Sequence, residues 1–255
     1  MIKFFRKIRQ DLLSRGKTGK YLKYAIGEIV LVVIGILIAL QLNNYNDTLN
    51  QDDFEQKALL NLKLDFEYNQ TELNKSIAKL KEVKKNSLII LDNTGSKYQA
   101  SFDIDSLLQS VGSVPKYYPQ NGFLLDLINS GNLGIINNDN LRSKLSSWLP
   151  TLETLKDREN SAIIFNHDLL RYVIKNGSWL NSDEQTNDSD ITGIKFPKSG
   201  FEINNNELVK NVEFENMIEN LSVFKSLLLD RHKKLLDLNT EIINLLESEI
   251  KKRQN

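Results

Sequence analysis

The 255-residue sequence contains no cysteine, only two histidines and only four prolines. Without cysteine, the chain has neither a disulfide framework nor a thiolate metal site. The two histidines, His167 and His232, do not belong to a metal-binding spacing such as H-E-x-x-H. The fingerprints of P-loops, dinucleotide-binding folds and serine hydrolases are also missing. The sequence therefore predicts that the protein holds no metal or cofactor and is not an enzyme.

The formal net charge is zero, but the charge is unevenly distributed along the chain. Residues 1–46 contain eight basic and two acidic residues, a balance of +6, so the remaining residues carry −6. The basic residues lie beside a hydrophobic run and not on a folded domain, which argues against a nucleic-acid partner. This asymmetry is typical of a protein that meets a membrane.

The hydrophobic run reads YAIGEIVLVVIGILIALQLNN over residues 24–44. As a helix, residues 24–42 would extend about 28 Å, close to the thickness of one bilayer core. The nearby basic residues all precede the run, so the positive-inside rule predicts a cytoplasmic segment 1–23 and an extracytoplasmic domain 43–255. A cleaved signal peptide is the alternative, but no small-x-small cleavage site follows the run. The segment MIKFFRKIRQDLL before it is either a short interfacial helix or a basic flank.

One acidic residue, Glu28, lies inside this predicted transmembrane helix. At 100° per residue, Glu28, Gly35 and Ala39 fall within about 20° of one line along the helix. The glycine and alanine are spaced as in small-x-x-x-small contacts between spans, which would direct the acid toward a partner. Alternatively, Glu28 lies close enough to the inner boundary to pair with Lys20 or Lys23. The first interpretation predicts a packing face of Glu28, Gly35 and Ala39.

No glycine or proline occurs between Gly35 and Gly95, so nothing in the sequence ends the helix at the bilayer. A heptad seam follows within this tract, interrupted by small polar residues: Leu59, Leu62, Phe66, Asn69, Leu73, Ser76, Leu80, Val83, Ser87 and Ile90. The tract predicts a long helix over about residues 47–92.

Two more long helices are predicted, over about residues 139–175 and 207–253. The first begins at an Asn138 or Asp139 cap, is interrupted at Glu159 and Asn166, and should be kinked or divided by Pro150. The second has a seam in which only Arg231 is polar: Met217, Leu221, Phe224, Leu228, Arg231, Leu235, Leu238, Ile242 and Leu245. Arg231 is expected to pair with an acid such as Glu159 and fix the register, or to contact a ligand.

These elements predict an all-α fold: one N-terminal transmembrane helix that continues into an up-down-up bundle or coiled-coil ectodomain with short cap helices. DIDSLLQSVG and NGFLLDLINSGNL each predict a short helix that glycine closes. ITGIKFPKSGFEI, after an acidic run, predicts a small hairpin. Between the short helices, KYYPQNGF contains a possible ligand or partner surface or, alternatively, a satellite core, made of Lys116, Tyr117, Tyr118 and Phe123.

The basic start and YAIGEIVLVVIGILIALQLNN resemble the N-terminus of a large group of single-span bacterial proteins, common in Bacteroidetes and known only as a domain of unknown function. LINSGNLGIINNDNLRSKLSSW, residues 127–148, also resembles that group. The resemblance covers the whole chain and includes Glu28. It implies a location in the bacterial inner membrane, but it implies no activity, ligand or catalytic residue.

Two hypotheses about function follow. The first is a membrane-anchored scaffold or interaction protein that associates with itself or with another membrane protein. The second is an ectodomain that senses a ligand and signals through a separate membrane partner. Binding of a ligand at the predicted cap would distinguish the second from the first.

Overall fold

The computed structural model describes residues 18–186, 196–197 and 199–253. Over these residues it contains helices and no strands, which confirms the all-α prediction. The α-helices are α1 (Thr18–Leu91), α2 (Asp105–Val111), α3 (Gly122–Asn129), α4 (Asp139–Asn176), α5 (Trp179–Thr186) and α6 (Val212–Lys252). Short 3-10 turns occupy Gly95–Lys97, Asn132–Ile135 and Asn205–Lys210.

Some predicted elements lie outside the described residues. They are the segment MIKFFRKIRQDLL, the end of the acidic run at 187–190, and residues 191–195 and 198 of the predicted hairpin. The start of the acidic run belongs to α5.

The chain divides into two compact units, Met1–Lys57 and Ala58–Asn255. In the first unit, α1 contains an 18-residue window with a mean hydropathy of 2.6, none of which is buried. Among the described helices, α1 alone is long and apolar enough to cross a membrane.

The second unit is a bundle of three long helices: α4, α6 and the part of α1 that begins at Ala58. Helix α6 is antiparallel to α1, because residue numbers fall along α6 as they rise along α1. Lys63 pairs with Glu247 at 3.0 Å, and Gln70 donates to Thr240 at 3.3 Å. Helix α6 is also antiparallel to α4. Lys144 pairs with Glu241 near the start of α4, and further contacts along the two helices join Glu159 to His232, Phe165 to Phe224 and Tyr172 to Phe214.

It follows that α1 and α4 run in the same direction, and not in opposite directions as the up-down-up order predicted. Phe66 packs edge-on against Trp148 with ring centroids 4.8 Å apart, and Ile90 shares a core cluster with Leu169 and Tyr172. The physical reason lies in the connector 92–138, which runs back along the bundle instead of turning at one end. The connector starts near Leu208 and Val209, which directly precede α6. It finishes near the other end of α6, where Asn138 donates to Glu249 at 2.7 Å.

The local signals in the sequence describe the helix ends well. Asn138 caps α4, with its side-chain oxygen accepting from Leu141 N–H at 3.0 Å. Asn211 caps α6 in the same way through Glu213 N–H at 2.8 Å. The two predicted short helices are α2 and α3. Pro150 does not divide α4, which continues through it to Asn176.

The predicted seam of α1 is confirmed, since all ten positions from Leu59 to Ile90 are buried. The seam of α6 differs from its prediction at every second position. Leu221, Leu228, Leu235 and Ile242 are buried as expected, but the alternate positions lie one residue further along and are occupied by Ile218, Lys225, His232, Asn239 and Leu246. Arg231 is therefore half-exposed, and the buried polar residue beside it is His232.

Candidate functional site

The crossing segment, residues 112–121, joins α2 to α3 and is neither helix nor strand. Its peptide groups lack the partners that regular structure supplies, and buried peptide groups need hydrogen bonds. Polar side chains from the buried seams of α1 and α4 fill this role, and one from α6 bonds the end of α2 directly before the segment. Asn69, Glu159 and Asn166, which hold the segment, are residues that interrupt the predicted heptads of α1 and α4.

Helices α1 and α4 hold the middle of the crossing segment. Asn69 of α1 donates through Nδ2 to Gln120 O at 2.8 Å, and its Oδ1 accepts from Gln120 N–H at 2.7 Å. Glu159 of α4 accepts from Tyr117 N–H through Oε1 at 2.8 Å. Both Asn69 and Glu159 are buried. Each side chain thus replaces a strand or helix partner for this stretch of backbone.

Helices α4 and α6 hold the start of the segment. Asn166 donates through Nδ2 to Gly112 O at 2.7 Å. Lys225 donates through Nζ to Val111 O, and its Nζ lies 3.4 Å from Asn166 Oδ1. Burial lowers the pKa of Lys225 to about 7. The ammonium group lies at the C-terminal end of α2, where the helix dipole favours a cation.

His232 faces Glu159 across the interface of α4 and α6. Its Nδ1 lies 3.0 Å from Leu228 O, so Nδ1 carries the proton that this hydrogen bond requires. Its Nε2 is buried, 3.9 Å from Glu159 Oε1, and has no hydrogen-bond partner in the described part of the chain. Burial lowers the pKa of His232 and raises the pKa of Glu159. The neutral ring therefore presents a lone pair toward the carboxyl group.

Within the described residues, two further buried polar atoms have no hydrogen-bond partner: the hydroxyl oxygen of Tyr117, beside this pair, and Oδ1 of Asn239, two turns further along α6. The rings of Tyr117 and His232 have centroids 6.3 Å apart. Burial raises the pKa of Tyr117, and the charges of Glu72 and Tyr68 add to this effect. The centre of the bundle thus contains a group of titratable side chains that its own hydrogen bonds do not fully satisfy.

A surface cavity of about 530 Å³ opens beside the crossing segment. Residues from the crossing segment, α3 and α4 line it: Lys116, Tyr117, Tyr118, Pro119, Asn121, Gly122, Leu125, Lys156, Glu159 and Asn160. Glu159 is the acidic member of this lining, and its side chain is 8% exposed. The charges of Lys116 and Lys156 partly offset the effect of burial on the pKa of Glu159. The cavity combines a buried acid, two lysines, amides and apolar surface.

The structure brings together three of the four residues of the predicted cap surface. Lys116, Tyr117 and Tyr118 line the cavity, whereas Phe123 packs against the hydrophobic core. In the other unit, Glu28 is half-exposed, while Gly35 and Ala39 are exposed. A Cβ atom added at Gly35 would meet nothing within 4 Å, so there is room for a close neighbour at that point.

Sequence reasoning did not place Lys156, Asn160 or His232 in a site. For Glu159 a signal was present, because it interrupts the heptad of α4 together with Asn166. For His232 the signal was its spacing of seven residues from Lys225 and Asn239. Among the described residues there is no group of three or more histidine and acidic side chains that could hold a metal ion.

Of three comparisons with known proteins, one found a family, over most of the chain and not over its whole length as the resemblance implied. The model of a family of unknown function, DUF6090, matches residues 28–226. The chain belongs to DUF6090. The match begins at Glu28 and covers the crossing segment, the cavity and the first part of α6. The comparison with curated proteins and the comparison with solved structures gave no match.

Proposed function

We propose that this DUF6090 protein is a membrane-anchored ligand-sensing protein, which binds and does not catalyse. In this proposal the apolar part of α1 spans the inner membrane once, residues 1–23 are cytoplasmic and the bundle is periplasmic. The observation that supports sensing is the cavity beside the crossing segment. Ligand sites are concave, largely apolar and equipped with a few convergent polar groups, and here one of the polar groups in the lining is the buried Glu159.

The cavity is suited to signalling because one of its lining residues, Glu159, also contacts the interior of the bundle. Glu159 lines the cavity, accepts from the backbone of the crossing segment and faces His232 of α6. A ligand that pairs with Glu159 would therefore alter interactions of both the crossing segment and α6. A separate membrane protein would receive the signal, and Glu28, Gly35 and Ala39 are the residues that we expect to contact it.

Thermal unfolding of the full chain in detergent with a library of small metabolites tests ligand binding. We expect at least one compound to raise Tm, and Lys156→Met to reduce that increase. Lys84→Met provides a matched control, because Lys84 is an exposed lysine of α1 outside the cavity. A library that leaves Tm unchanged contradicts the sensing function. Protease added to intact spheroplasts tests the topology, since it should digest the bundle.

A scaffold function is the second candidate, and an exposed apolar row on the bundle favours it. Leu60, Leu64 and Tyr68 follow one another at helical spacing on α1 and are 44%, 65% and 44% exposed. Leu60→Gln combined with Leu64→Gln should weaken self-association or partner capture from cross-linked membranes without unfolding the bundle. Leu88→Gln is the control, because Leu88 is an exposed leucine of α1 outside the row. Equal capture by both variants contradicts the scaffold function.

A further inference from the structure

The cavity beside the crossing segment presents groups of both charges to one small space. We infer that it binds a small zwitterion, an α-amino acid whose ammonium group pairs with Glu159 and whose carboxylate pairs with Lys116 and Lys156. This inference rests on the proposed ligand-sensing function and adds the chemical class of the ligand.

Glu159 is positioned to accept a hydrogen bond from a cation. Its Oε1 is held by Tyr117 N–H at 2.8 Å, and little of the side chain is exposed. Among the residues that the structure describes, no cation is in contact with it, and its neighbour at 3.9 Å is His232, whose pKa burial lowers. A buried carboxylate whose charge is not compensated is costly, and an ammonium group in hydrogen-bond contact would offset that cost.

Lys116 and Lys156 are positioned to bind an anion. Both are exposed and line the cavity, and both are close enough for their charges to lower the pKa of Glu159. Within the described part of the chain, no ion pair of 4.0 Å or less joins either lysine to Glu159. Neither lysine is therefore in ion-pair contact with the acid, and both ammonium groups are available to an anion in the cavity.

Apolar surface lines the same cavity as these charged groups. Tyr118 is 72% exposed and Leu125 is 40% exposed, and both line the cavity together with Pro119. Covering this surface with an aliphatic or aromatic side chain of the ligand would be favourable, because it removes apolar area from water. The cavity of about 530 Å³ also lies in the range that is typical of small-molecule sites.

The charge arrangement favours a zwitterion over a simple ion. A carboxylate alone would bind the lysines but leave Glu159 without a cation, and an amine alone would approach two lysines of like charge. A molecule with both groups pairs each charge of the cavity with its opposite. Selectivity should thus depend on both ends of the ligand.

Isothermal titration calorimetry of the full chain in detergent at neutral pH tests this inference, with the common L-amino acids as probes. For the tightest binder, the N-acetyl derivative lacks the cation and the amide derivative lacks the anion. We expect each derivative to bind at least about tenfold more weakly, a difference of about 1.4 kcal/mol. An N-acetyl derivative that binds as tightly as the amino acid overturns the zwitterion assignment but leaves ligand sensing in place.

Two variants locate the ends of the ligand. Glu159→Gln keeps an oxygen for Tyr117 N–H, so the bundle should fold, but the preference for the amino acid over its N-acetyl derivative should disappear. Lys156→Met should weaken the amino acid about tenfold, and the control Lys84→Met should not. Amino-acid binding that Glu159→Gln and Lys156→Met leave unchanged would place the ligand elsewhere. If no amino acid binds but another metabolite raises Tm, only the ligand class is wrong.

Discussion

The two units of the chain distribute apolar and polar side chains in opposite ways. In the first unit, the apolar window of α1 is entirely unburied, and Leu37, for example, is 58% exposed. In the bundle, charged and polar residues such as Glu159, Lys225 and His232 are buried. Hydrophobicity therefore does not identify the core in the same way in both units. In the first unit it identifies an exposed surface that is long and apolar enough to cross a membrane, and in the bundle some core positions hold polar side chains that bond backbone groups.

The largest expected effect comes from making the same substitution in both units. Leu145→Ala removes a fully buried side chain from the bundle and should lower its free energy of unfolding by about 2–5 kcal/mol. Leu37→Ala removes an exposed side chain and should leave unfolding of the bundle unchanged. Chemical denaturation of the full chain in detergent measures both. Equal losses would contradict the distinction between the two units.

A charge in the apolar window should oppose membrane insertion. Ile34→Lys places an ammonium group near the middle of the window, at a cost of about 3 kcal/mol on insertion scales. We expect a smaller membrane fraction after sodium carbonate extraction, and Ile34→Leu as the control should extract like the natural chain. Full retention of the lysine variant in the membrane would argue against a span at this position.

Inside the bundle, Lys225 should make stability depend on pH. Its pKa in the folded protein, about 7, is below the unfolded value of 10.5, so between these values only the unfolded chain binds the proton. Stability should therefore rise with pH in this window, by about 2 kcal/mol from pH 7 to pH 9. Urea unfolding should show this rise in the natural chain and in Lys84→Met but not in Lys225→Met. A rise that persists in Lys225→Met would assign it to another group.

The smallest effect on folding is expected at Glu28. Glu28→Gln keeps the size of the side chain, so insertion should be normal, while association with a membrane partner should weaken if the acid faces that partner. A membrane two-hybrid assay measures association, and Ile29→Leu serves as a control on the same helix. Unchanged association would reduce Glu28 to a residue of the membrane boundary.

Local signals in the sequence were enough to predict most helices. Gly112, which caps α2, and Asn138, which caps α4, lie where turn and cap preferences put them, and the seam of α1 is confirmed in full. These features depend on residues that are close in the sequence. The direction of α4 depends instead on how a long connector packs, which periodicity does not report.

The seam of α6 shows where periodicity misleads. Phe224 and Leu238 are more hydrophobic than Lys225 and Asn239, which follow them, yet they are only partly buried at the edge of the core, as are Met217 and Leu245. The fully buried positions include Lys225, His232 and Asn239, of which Lys225 bonds a carbonyl at the end of α2 and Asn239 one of α1. The need for a polar side chain there arises from distant backbone, so it does not appear in the pattern of α6 itself.

The anchored crossing segment has a consequence for amide hydrogen exchange. The N–H groups of Tyr117 and Gln120 lie outside any helix or strand, and loops usually exchange quickly. Both donate to side-chain oxygens in the interior, Glu159 Oε1 and Asn69 Oδ1, and not to water. Deuterium should therefore enter these two positions as slowly as it enters the long helices, because the bundle has to open before either bond is released.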